Sequence, residues 1–332
     1  MLFKDKNILI TGGTGSLGGT LLRRLLSDDS DLPSRILVLS RDEAKQSSLK
    51  AAYAMDGFLG TKFRNIVQFS VGDVRDYSSV FSALDGIQII FNAAALKQVP
   101  ACEYFPFEAV CTNVEGPENI VRAIQQGKYP VETVVGISTD KACKPVNVMG
   151  MTKAIQERLF LSGVKRCPNT RFVCVRFGNV LASRGSVIPL FEDQIKQGGP
   201  VTITVPTMTR FLMSLDAAVD TVFAAVRTGL AGETYVPRMQ SALVKNVAQI
   251  MIGDRPIEIK SVGIRPGEKI HEILVSEEEI FRTYARDNYY VITSVLDEFN
   301  GVPALAQEFD SEDVVMSYAE TVDFLVANGI IR

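Results

Sequence analysis

A glycine-rich turn near the start of the chain restricts the possible folds more than any other feature of the sequence. An apolar segment at residues 7–11 precedes three glycines at three-residue spacing, and an amphipathic segment at residues 17–26 follows. The pattern predicts a strand, a tight turn and a helix, whose backbone amide groups and positive end can bind a pyrophosphate. The residues assigned to cofactor binding in this turn are Gly12, Thr14, Gly15, Ser16, Leu17 and Gly18.

Apolar strand-like segments alternate with helical segments up to about residue 183. Further strands are predicted at residues 35–39, 66–70, 87–92, 133–137 and 172–176. Such alternation indicates an α/β fold with a Rossmann-type, doubly wound parallel sheet. We therefore predict a dinucleotide-binding domain at residues 1–183.

Beyond Ser183 the sequence changes to mixed loops and shorter elements. Helices are predicted at residues 216–227 and 312–327, and short strands at residues 234–236 and 257–261. The first of these strands is expected to rejoin the main sheet, near residues 234–238. Residues 184–332 therefore mainly form a smaller, interleaved α/β substrate domain and a C-terminal segment.

The end of the second strand bears on the choice between NADP and NAD. NAD-selective enzymes usually have an acid there, whereas this chain has Ser40 followed by Arg41. A guanidinium suits a ribose 2′-phosphate, and Lys45 lies one helical turn later. We predict NADP as the cofactor; Asp42 keeps NAD possible.

The segment from Ile137 to Lys153 follows a predicted buried strand and leads into a helix near Met149. The carboxyl ends of strands carry the chemistry in open α/β sheets, and Thr139, Asp140 and Lys141 lie side by side at this one. A hydroxyl, a carboxyl and an amine are suited to proton transfer. Lys153 and Met149, four residues apart, share one face of the helix.

The composition excludes several classes of function. The net charge of −3, with acids and bases interspersed, indicates no attraction to nucleic acid or an anionic membrane. Five cysteines without a C-x-x-C pair indicate free thiols in a reducing compartment. No signal peptide or membrane-spanning segment is recognisable, so we predict a cytoplasmic protein. His271, the single histidine, is predicted to lie in a helix, and no metal site is expected.

These motifs resemble those of the extended short-chain dehydrogenase/reductase superfamily, over roughly residues 4–290. Where that superfamily normally has Tyr and Lys, this chain has Met149 and Lys153. Thr139 to Lys141 resembles the Thr-Asp-Glu triplet of nucleotide-sugar 4,6-dehydratases, with lysine in place of glutamate. Together with Leu96 to Pro100, it resembles the bacterial polysaccharide branch that acts on UDP-N-acetylglucosamine.

The resemblance implies a role for each residue of the loop. Asp140 is the acid at the sugar C6, Lys141 the base at C5, and Thr139 a hydrogen-bond partner of the C4 oxygen. Lys153 holds the nicotinamide ribose. Because Met149 cannot accept a proton, Asp140, Lys141 or a bound water must take the C4 hydroxyl proton. We expect Asp140 to take it first and to act as the C6 acid afterwards.

The resemblance also identifies further binding residues. Asp73 and Val74 are expected beside the adenine, and Asn113 holds the loop after the fourth strand. The small side chains of Ala93, Ala94 and Ala95 let the backbone approach the cofactor. The residues predicted to bind the UDP-sugar are Lys97, Asn179, Arg184, Ser186, Arg210, Arg265 and Glu268.

Two other functions remain possible from the sequence. A UDP-sugar 4-epimerase would share the oxidation at C4 but would return the hydride there. A non-catalytic NADP-binding regulatory protein would explain the missing tyrosine in another way. The exact sugar and the configuration at C5 stay open, and a homo-oligomer is expected.

Overall fold

A nine-stranded sheet forms the larger part of the structure, a computed structural model that describes residues 1–183, 185–296 and 298–331. In chain order the strands are β1 (Asn7–Thr11), β2 (Arg35–Ser40), β3 (Val67–Val71), β4 (Ile89–Asn92), β5 (Thr133–Ile137), β6 (Arg171–Val175), β7 (Asn179–Val180), β8 (Val201–Ile203), β9 (Thr209–Met213), β10 (Thr234–Pro237), β11 (Ser241–Leu243), β12 (Ile259–Ser261), β13 (Ile273–Val275), β14 (Thr283–Arg286), β15 (Tyr289–Ile292) and β16 (Phe309–Asp310).

The helices lie on both faces of this sheet and in a smaller lobe. They are α1 (Ser16–Ser27), α2 (Glu43–Ala54), α3 (Gly60–Ile66), α4 (Tyr77–Ala83), α5 (Val99–Tyr104), α6 (Pro106–Val110), α7 (Gly116–Gly127), α8 (Val148–Arg166), α9 (Val187–Lys196), α10 (Leu215–Thr228), α11 (Val244–Ile252), α12 (Glu277–Ile280) and α13 (Tyr318–Ala327). Asp29–Asp31 and Asp140–Ala142 form 3-10 turns, and Cys111–Glu115 forms a π-helical turn.

The order of the strands in the large sheet is β14-β15-β10-β6-β5-β4-β1-β2-β3. Seven neighbouring strands of this sheet, β3, β2, β1, β4, β5, β6 and β10, are parallel to one another. Strands β15 and β14 extend the sheet beyond β10 in antiparallel fashion. The order reverses between β1 and β4, so the carboxyl ends of these strands border a topological switch point. This architecture confirms the predicted Rossmann-type α/β fold.

Two apolar cores cover the two faces of the sheet. One packs α1 and α10 against the strands through residues such as Leu22, Phe91 and Val222. The other packs α4, α7 and α8 through Val80, Ile120 and Phe160. Burial on both faces explains why β4 and β5 are continuously apolar or small in sequence and easily recognised.

The smaller lobe has its own core and is built from segments after Asn179. Strands β7, β9 and β11 form one sheet, β8 pairs with β12, and β13 pairs with β16. Phe191, Ile203 and Met251 are among the buried residues of its core. Strands β10, β14 and β15 leave this part of the chain and join the large sheet. The antiparallel pair β14 and β15 was not predicted from the sequence.

Several predicted elements differ in their bounds. The third strand begins at Val67 because Ile66 ends α3. Helix α13 begins at Tyr318 and not at residue 312, since Ser317 and Glu320 form a capping box. The prediction that His271 lies in a helix is wrong: it lies in an irregular segment just before β13. No helix within the described ranges has the length and apolar character needed to cross a membrane.

Candidate active site

The glycine-rich turn packs tightly across the switch point. Gly12 has a φ of +68° and accepts a hydrogen bond from the Gly15 amide at 2.9 Å. A Cβ on Gly12 would lie 2.8 Å from the Ala94 nitrogen, and one on Gly18 would lie 2.6 Å from the Gly12 oxygen. The turn therefore requires glycine at both positions, and it brings β1 and the segment after β4 into backbone contact.

Helix α1 begins at Ser16, and its N-cap residue, Gly15, provides no side-chain hydrogen bond to the first-turn amides. Leu17 and Gly18 belong to that first turn. Thr14 approaches the end of β2, where its hydroxyl lies 3.0 Å from that of Ser40. The positive end of α1, without a capping side chain, fits the pyrophosphate of a dinucleotide.

The charged residues after β2 have different partners. Asp42 caps α2 and forms a 2.7 Å ion pair with Lys45, whose charge and hydrogen bonds lower the pKa of Asp42. Arg41 is half exposed and lies 3.5 Å from Asp73. Ser40 is buried beside Thr14. The ion pair of Arg41, at 3.5 Å, is therefore longer than the 2.7 Å ion pair of Lys45.

The remaining predicted cofactor residues lie around the same edge of the sheet. Asp73 accepts hydrogen bonds from the backbone and side chain of Arg75 at 3.0 and 2.8 Å. A Cβ on Gly116 would lie 2.9 Å from the Val74 side chain. Ala93, Ala94 and Ala95 follow β4.

Asn113 links the loop after β4 to helix α8. It accepts from the Leu96 amide at 2.8 Å, and its side-chain amide donates to the Leu96 carbonyl at 2.9 Å and to Thr152 at 3.0 Å. The loop that carries Ala95 and Lys97 is thereby fixed, which is the structural role expected for this asparagine.

Asp140, Lys141, Arg210 and Glu272 form a group of buried or half-buried charges that we call the turn cluster. Asp140 and Lys141 lie in the 3-10 turn after β5, where Lys141 Nζ donates to Asp140 Oδ1 at 2.9 Å. Thr139 donates to the same oxygen at 2.8 Å. Glu272 Oε1 lies 3.3 Å from Lys141 Nζ and 3.8 Å from Arg210 Nε.

The turn cluster holds Lys141 as an ammonium. Burial alone would lower the pKa of Lys141, but the charges of Asp140 and Glu272 outweigh burial and raise it above its usual value. Arg210 opposes them in part. Whether burial or an ion pair dominates could not be decided from the sequence, and this geometry favours the ion pairs.

Two oxygens of the turn cluster lack a hydrogen-bond donor among the described residues. They are Asp140 Oδ2 and Glu272 Oε2, and both are buried. A buried carboxylate oxygen without a donor costs free energy, so native proteins rarely leave one unpaired. Asp140 therefore has one oxygen held by two protein donors and one buried oxygen without a donor in the described part of the chain.

Helix α8 begins at the N-cap Asn147 and carries both Met149 and Lys153. Met149 packs with Cys102 and Ala109 in a small apolar cluster. The Lys153 ammonium is buried and donates to Gln156 at 2.7 Å. Burial without a close carboxylate lowers the pKa of Lys153 to about 8.

A second group of buried charges, the Arg176 cluster, lies behind the turn. Arg176 donates to both oxygens of Glu157 and to both oxygens of Glu279 at 2.7–3.1 Å. Ser138 also donates to Glu157, and Arg282 pairs with Glu279. Burial opposes ionisation of Glu279, but Arg176 lowers the pKa of Glu279 to about 2.

The predicted sugar-binding residues differ in burial and in hydrogen bonding. Asn179 Oδ1 and Ser186 Oγ are buried and have no hydrogen-bond partner in the described part of the chain. Lys97 is exposed and donates to Ser183 at 3.4 Å. Glu268 accepts from Thr204 at 3.0 Å, Arg265 is exposed, and Arg184 lies outside the described residues.

Arg210, predicted to bind the UDP-sugar, has a guanidinium that already contacts the protein. Both terminal nitrogens donate to backbone carbonyls, of Thr209, Lys269 and Ile270, at 2.7–3.0 Å. Its guanidinium is thus held by the protein, next to Glu272. Three of its five N–H donors are thus engaged by backbone carbonyls.

The loop around Arg265 and Glu268 is attached by two hydrogen bonds to the segment between β5 and α8. Lys269 Nζ donates to the Cys143 carbonyl at 2.6 Å, and Asn147 donates to the Gly267 carbonyl at 2.7 Å. Glu272, a few residues further on, was missed by the sequence analysis, and so was Gln156. Gln156 could have been found, since it lies one turn after Lys153 on α8.

No group of three or more His, Cys, Asp or Glu side chains in the described ranges is arranged to hold a metal ion. The arrangement instead combines a dinucleotide cradle at the β1–α1 turn with titratable side chains at the end of β5. It can hold a nicotinamide cofactor and transfer protons beside it.

Comparison with known proteins places these residues in a family context. A family model described as polysaccharide biosynthesis protein matches residues 8–294. A protein of Rickettsia massiliae named UDP-glucose 4-epimerase is 44% identical over 297 residues, which are 88% of this chain and 84% of that protein.

Solved structures show the same fold. The X-ray structure of Pen from Bacillus thuringiensis matches with a TM-score of 0.90 and 36% identity over 100% of both chains. DesIV from Streptomyces venezuelae, a dTDP-glucose 4,6-dehydratase crystallised with NAD, matches with a TM-score of 0.68 and 20% identity. That match covers 80% of this chain and 86% of DesIV.

Proposed function

The chain belongs to the polysaccharide biosynthesis protein family, and we propose that it is a UDP-N-acetylglucosamine 4,6-dehydratase. The relatives named UDP-glucose 4-epimerase support the broader class, an enzyme that modifies a nucleotide sugar. The Rossmann fold supports a bound nicotinamide cofactor, and the neighbour DesIV was crystallised with NAD. The finer assignment depends on the turn cluster.

One observation carries the proposal: an acid and an amine lie side by side at the end of β5, and the acid has a buried oxygen without a protein donor. Asp140 Oδ1 accepts from Thr139 and Lys141, whereas Oδ2 has no donor in the described part of the chain. Elimination of water across C5 and C6 requires an acid and a base together. An epimerase requires only a single group at the C4 hydroxyl.

Asp140 accepts the C4 hydroxyl proton in the first step. Met149 cannot take that proton, and its packing against Cys102 and Ala109 gives it an apolar role. Oδ2 of Asp140 forms the new O–H bond as the C4 O–H bond breaks. A bound nicotinamide supplies the redox chemistry, since it accepts a hydride from C4 and returns it to C6.

Protonation of Asp140 prepares Lys141 for the second step. The resting ammonium of Lys141 is stabilised by Asp140 and Glu272, and its side chain is 20% exposed. When Asp140 becomes neutral, the pKa of Lys141 falls, and the ammonium can lose a proton to solvent. The neutral amine is then a base.

Lys141 removes the C5 proton, which the C4 ketone has made acidic, and Asp140 gives its proton to the departing C6 hydroxyl. Water leaves, Lys141 returns that proton to C5 as C6 is reduced, and the neutral amine takes up a proton from solvent to restore the resting ammonium. Asp140 ends as a carboxylate, so its proton has passed from the C4 oxygen to the released water. Thr139 orients Asp140 through the 2.8 Å hydrogen bond to Oδ1.

The other predicted residues supply binding. Gly12, Gly15 and the start of α1 suit the pyrophosphate of the cofactor, and Lys153 suits the nicotinamide ribose. Arg41 favours NADP. Asn179 and Ser186, each with a buried oxygen that lacks a protein partner, are the strongest candidates for contacts to the UDP-sugar.

A UDP-sugar 4-epimerase is the second candidate, because the relatives at 43–44% identity carry that name. It would use the same C4 oxidation but would leave the 6-hydroxyl in place. Lys141 would then have no proton to remove.

Incubation of the purified protein with UDP-N-acetylglucosamine, without added cofactor, tests the proposal. Mass spectrometry should detect loss of one water, and NMR should detect a C6 methyl group and a C4 ketone. An unchanged mass with inverted C4 would establish the epimerase. An unchanged substrate, with bound NADP detected in the protein, would favour another sugar or the regulatory alternative.

A further inference from the structure

Glu272 is the second carboxylate beside Lys141, and it comes from a distant part of the chain. It lies just before β13, is 2% exposed, and directs Oε1 to within 3.3 Å of Lys141 Nζ. Its other oxygen, Oε2, has no hydrogen-bond donor among the described residues. The carboxylate charge therefore acts mainly on Lys141 and on Arg210, whose Nε lies 3.8 Å away.

The C-terminal segment fixes the backbone of Glu272. Its amide donates to Ser311 Oγ at 2.9 Å, and the Ser311 amide donates back to the Glu272 carbonyl at 2.8 Å. The Thr209 hydroxyl lies 2.7 Å from that of Ser311. These bonds fix the backbone of Glu272, and the carboxylate is then oriented by its ion pairs with Lys141 and Arg210.

The charges that face Lys141 come from three segments. Asp140 belongs to the same turn, Glu272 precedes β13, and Arg210 lies on β9. Helix α8 also packs against this turn, but its buried charges have other partners, since Lys153 binds Gln156 and Glu157 binds Arg176. Once Asp140 has been protonated, Glu272 is the carboxylate that still faces Lys141.

We propose that Glu272 is a positioning residue that holds Lys141 Nζ beside Asp140 and sets the pH at which Lys141 becomes a base. The catalytic part of this inference rests on the proposed function, in which Lys141 removes the C5 proton. The electrostatic part, the control of the Lys141 charge, does not depend on turnover.

Replacement of Glu272 by Gln keeps the shape and removes the negative charge. An anion within about 4–6 Å raises the pKa of a neighbouring cation by about 1–3 units, so the variant should lower the pKa of Lys141 by a similar amount. The ascending limb of the kcat–pH profile, which reports the neutral lysine, should move to lower pH. Glu272→Asp keeps the charge but withdraws it by one methylene, so its limb should lie between the other two.

The experiment records kcat–pH profiles for the wild type, Glu272→Gln, Glu272→Asp and the control Glu312→Gln. Glu312 is an exposed acid near His271, and its variant should match the wild type. In parallel, competitive labelling with trace acetic anhydride over a pH series, followed by peptide mass spectrometry, measures the pKa of Lys141 directly. If Glu272→Gln does not fold, the wild type and Glu272→Asp decide the result.

The proposal is supported if the ascending limb of the kcat–pH profile moves to lower pH from the wild type to Glu272→Asp and further to Glu272→Gln. The pKa of Lys141 measured by labelling should fall in the same order. An unchanged Lys141 pKa in Glu272→Gln overturns it, even if kcat falls. If the wild type fails to dehydrate the sugar, the proposed function fails, but the labelling still tests control of Lys141 by Glu272. A shift in the labelling with no shift in the profile would retain the electrostatic role and reject Lys141 as the base.

Discussion

The turn cluster and the Arg176 cluster are both groups of buried charges near the carboxyl ends of β5 and β6, yet their hydrogen bonding differs. In the Arg176 cluster no buried side-chain nitrogen or oxygen lacks a partner in the described residues. In the turn cluster Asp140 and Glu272 each have an unpaired buried oxygen. Buried charges with every bond made can join separate segments of the chain, as Arg176 joins α8 and α12, whereas incompletely paired charges are candidates for chemistry.

The comparison predicts that the two clusters respond in opposite ways to mutation. A change in the turn cluster should affect turnover with little loss of stability. A change in the Arg176 cluster should affect stability with little loss of turnover in the molecules that remain folded.

The largest effect is expected for Asp140→Asn. The amide cannot take the C4 proton, and loss of an acid–base group costs about 10²- to 10⁴-fold in rate. We expect kcat to fall at least about a thousandfold, measured by formation of the 4-keto product. The thermal unfolding and cofactor binding of Asp140→Asn should match those of the wild type. The exposed control Asp193→Asn should keep the kcat of the wild type. Retained activity would remove Asp140 from the mechanism.

Arg176→Met should give the largest loss of stability. It leaves Glu157 and Glu279 buried without their guanidinium, and breaking a buried pair in this way costs about 3–5 kcal/mol. Denaturant unfolding should measure this loss, against about 1 kcal/mol or less for the exposed control Arg23→Met. A cost as small as that of the control would show that the two clusters do not differ.

The pH dependence sharpens the same test. The pKa of Glu279 is lowered in the folded state from 4.5 to about 2. The stabilisation that the ionised Glu279 contributes is therefore complete above about pH 4.5 and is lost as the pH falls towards 2. The difference in the free energy of unfolding between the wild type and Arg176→Met should therefore become smaller between pH 4.5 and pH 2. A difference in unfolding free energy that stays constant down to pH 2 would show that ionised Glu279 does not stabilise the fold through Arg176.

Lys153 is a buried charge whose close partner is neutral, so its replacement should stabilise the fold. Its pKa is lowered from 10.5 to about 8, which means that below about pH 8 the native state carries a buried charge that costs stability. At pH 7 Lys153→Met should raise the free energy of unfolding by about 1–3 kcal/mol, less the lost hydrogen bond to Gln156.

That gain should shrink as the pH rises from about 8 to 10.5, because the native lysine becomes neutral first. Denaturant unfolding at several pH values measures it, with the exposed Lys165→Met as the control on the same helix. A gain that does not vary with pH would indicate packing and not charge.

The smallest effect is expected for the exposed Arg41. Arg41→Ala should weaken NADP binding by about tenfold and leave NAD binding unchanged, as measured by calorimetry. Arg64→Ala, also exposed, is the control. Equal losses for both cofactors would mean that Arg41 does not contact the 2′-phosphate.

The sequence predicted the elements whose cause is local. The glycine spacing and the buried strands β1 to β6 follow from backbone conformation and two-sided burial, and Asp140 and Lys141 lie side by side because they are adjacent in the chain. Glu272 could not be predicted, since its contact with Lys141 depends on how β13 packs against the turn. The protein contacts of Arg210 could not be predicted either, because the Lys269 and Ile270 carbonyls that it binds are distant in the sequence.

The two antiparallel strands β14 and β15 were missed for a similar reason. Each has only four residues, and their place at the sheet edge is determined by pairing of β15 with β10 and of β14 with β15. His271 was assigned to a helix although it belongs to the irregular segment before β13. Elements that depend on distant partners carry little signal of their own.

The central claim is that Asp140 and Lys141 eliminate water after oxidation at C4, and transfer of label from the substrate tests it most directly. UDP-N-acetylglucosamine deuterated at C4 should give a product with the deuterium in its C6 methyl group, observed by NMR and mass spectrometry. Deuterium found at an inverted C4, in a sugar that keeps its 6-hydroxyl, would contradict the dehydratase and identify an epimerase.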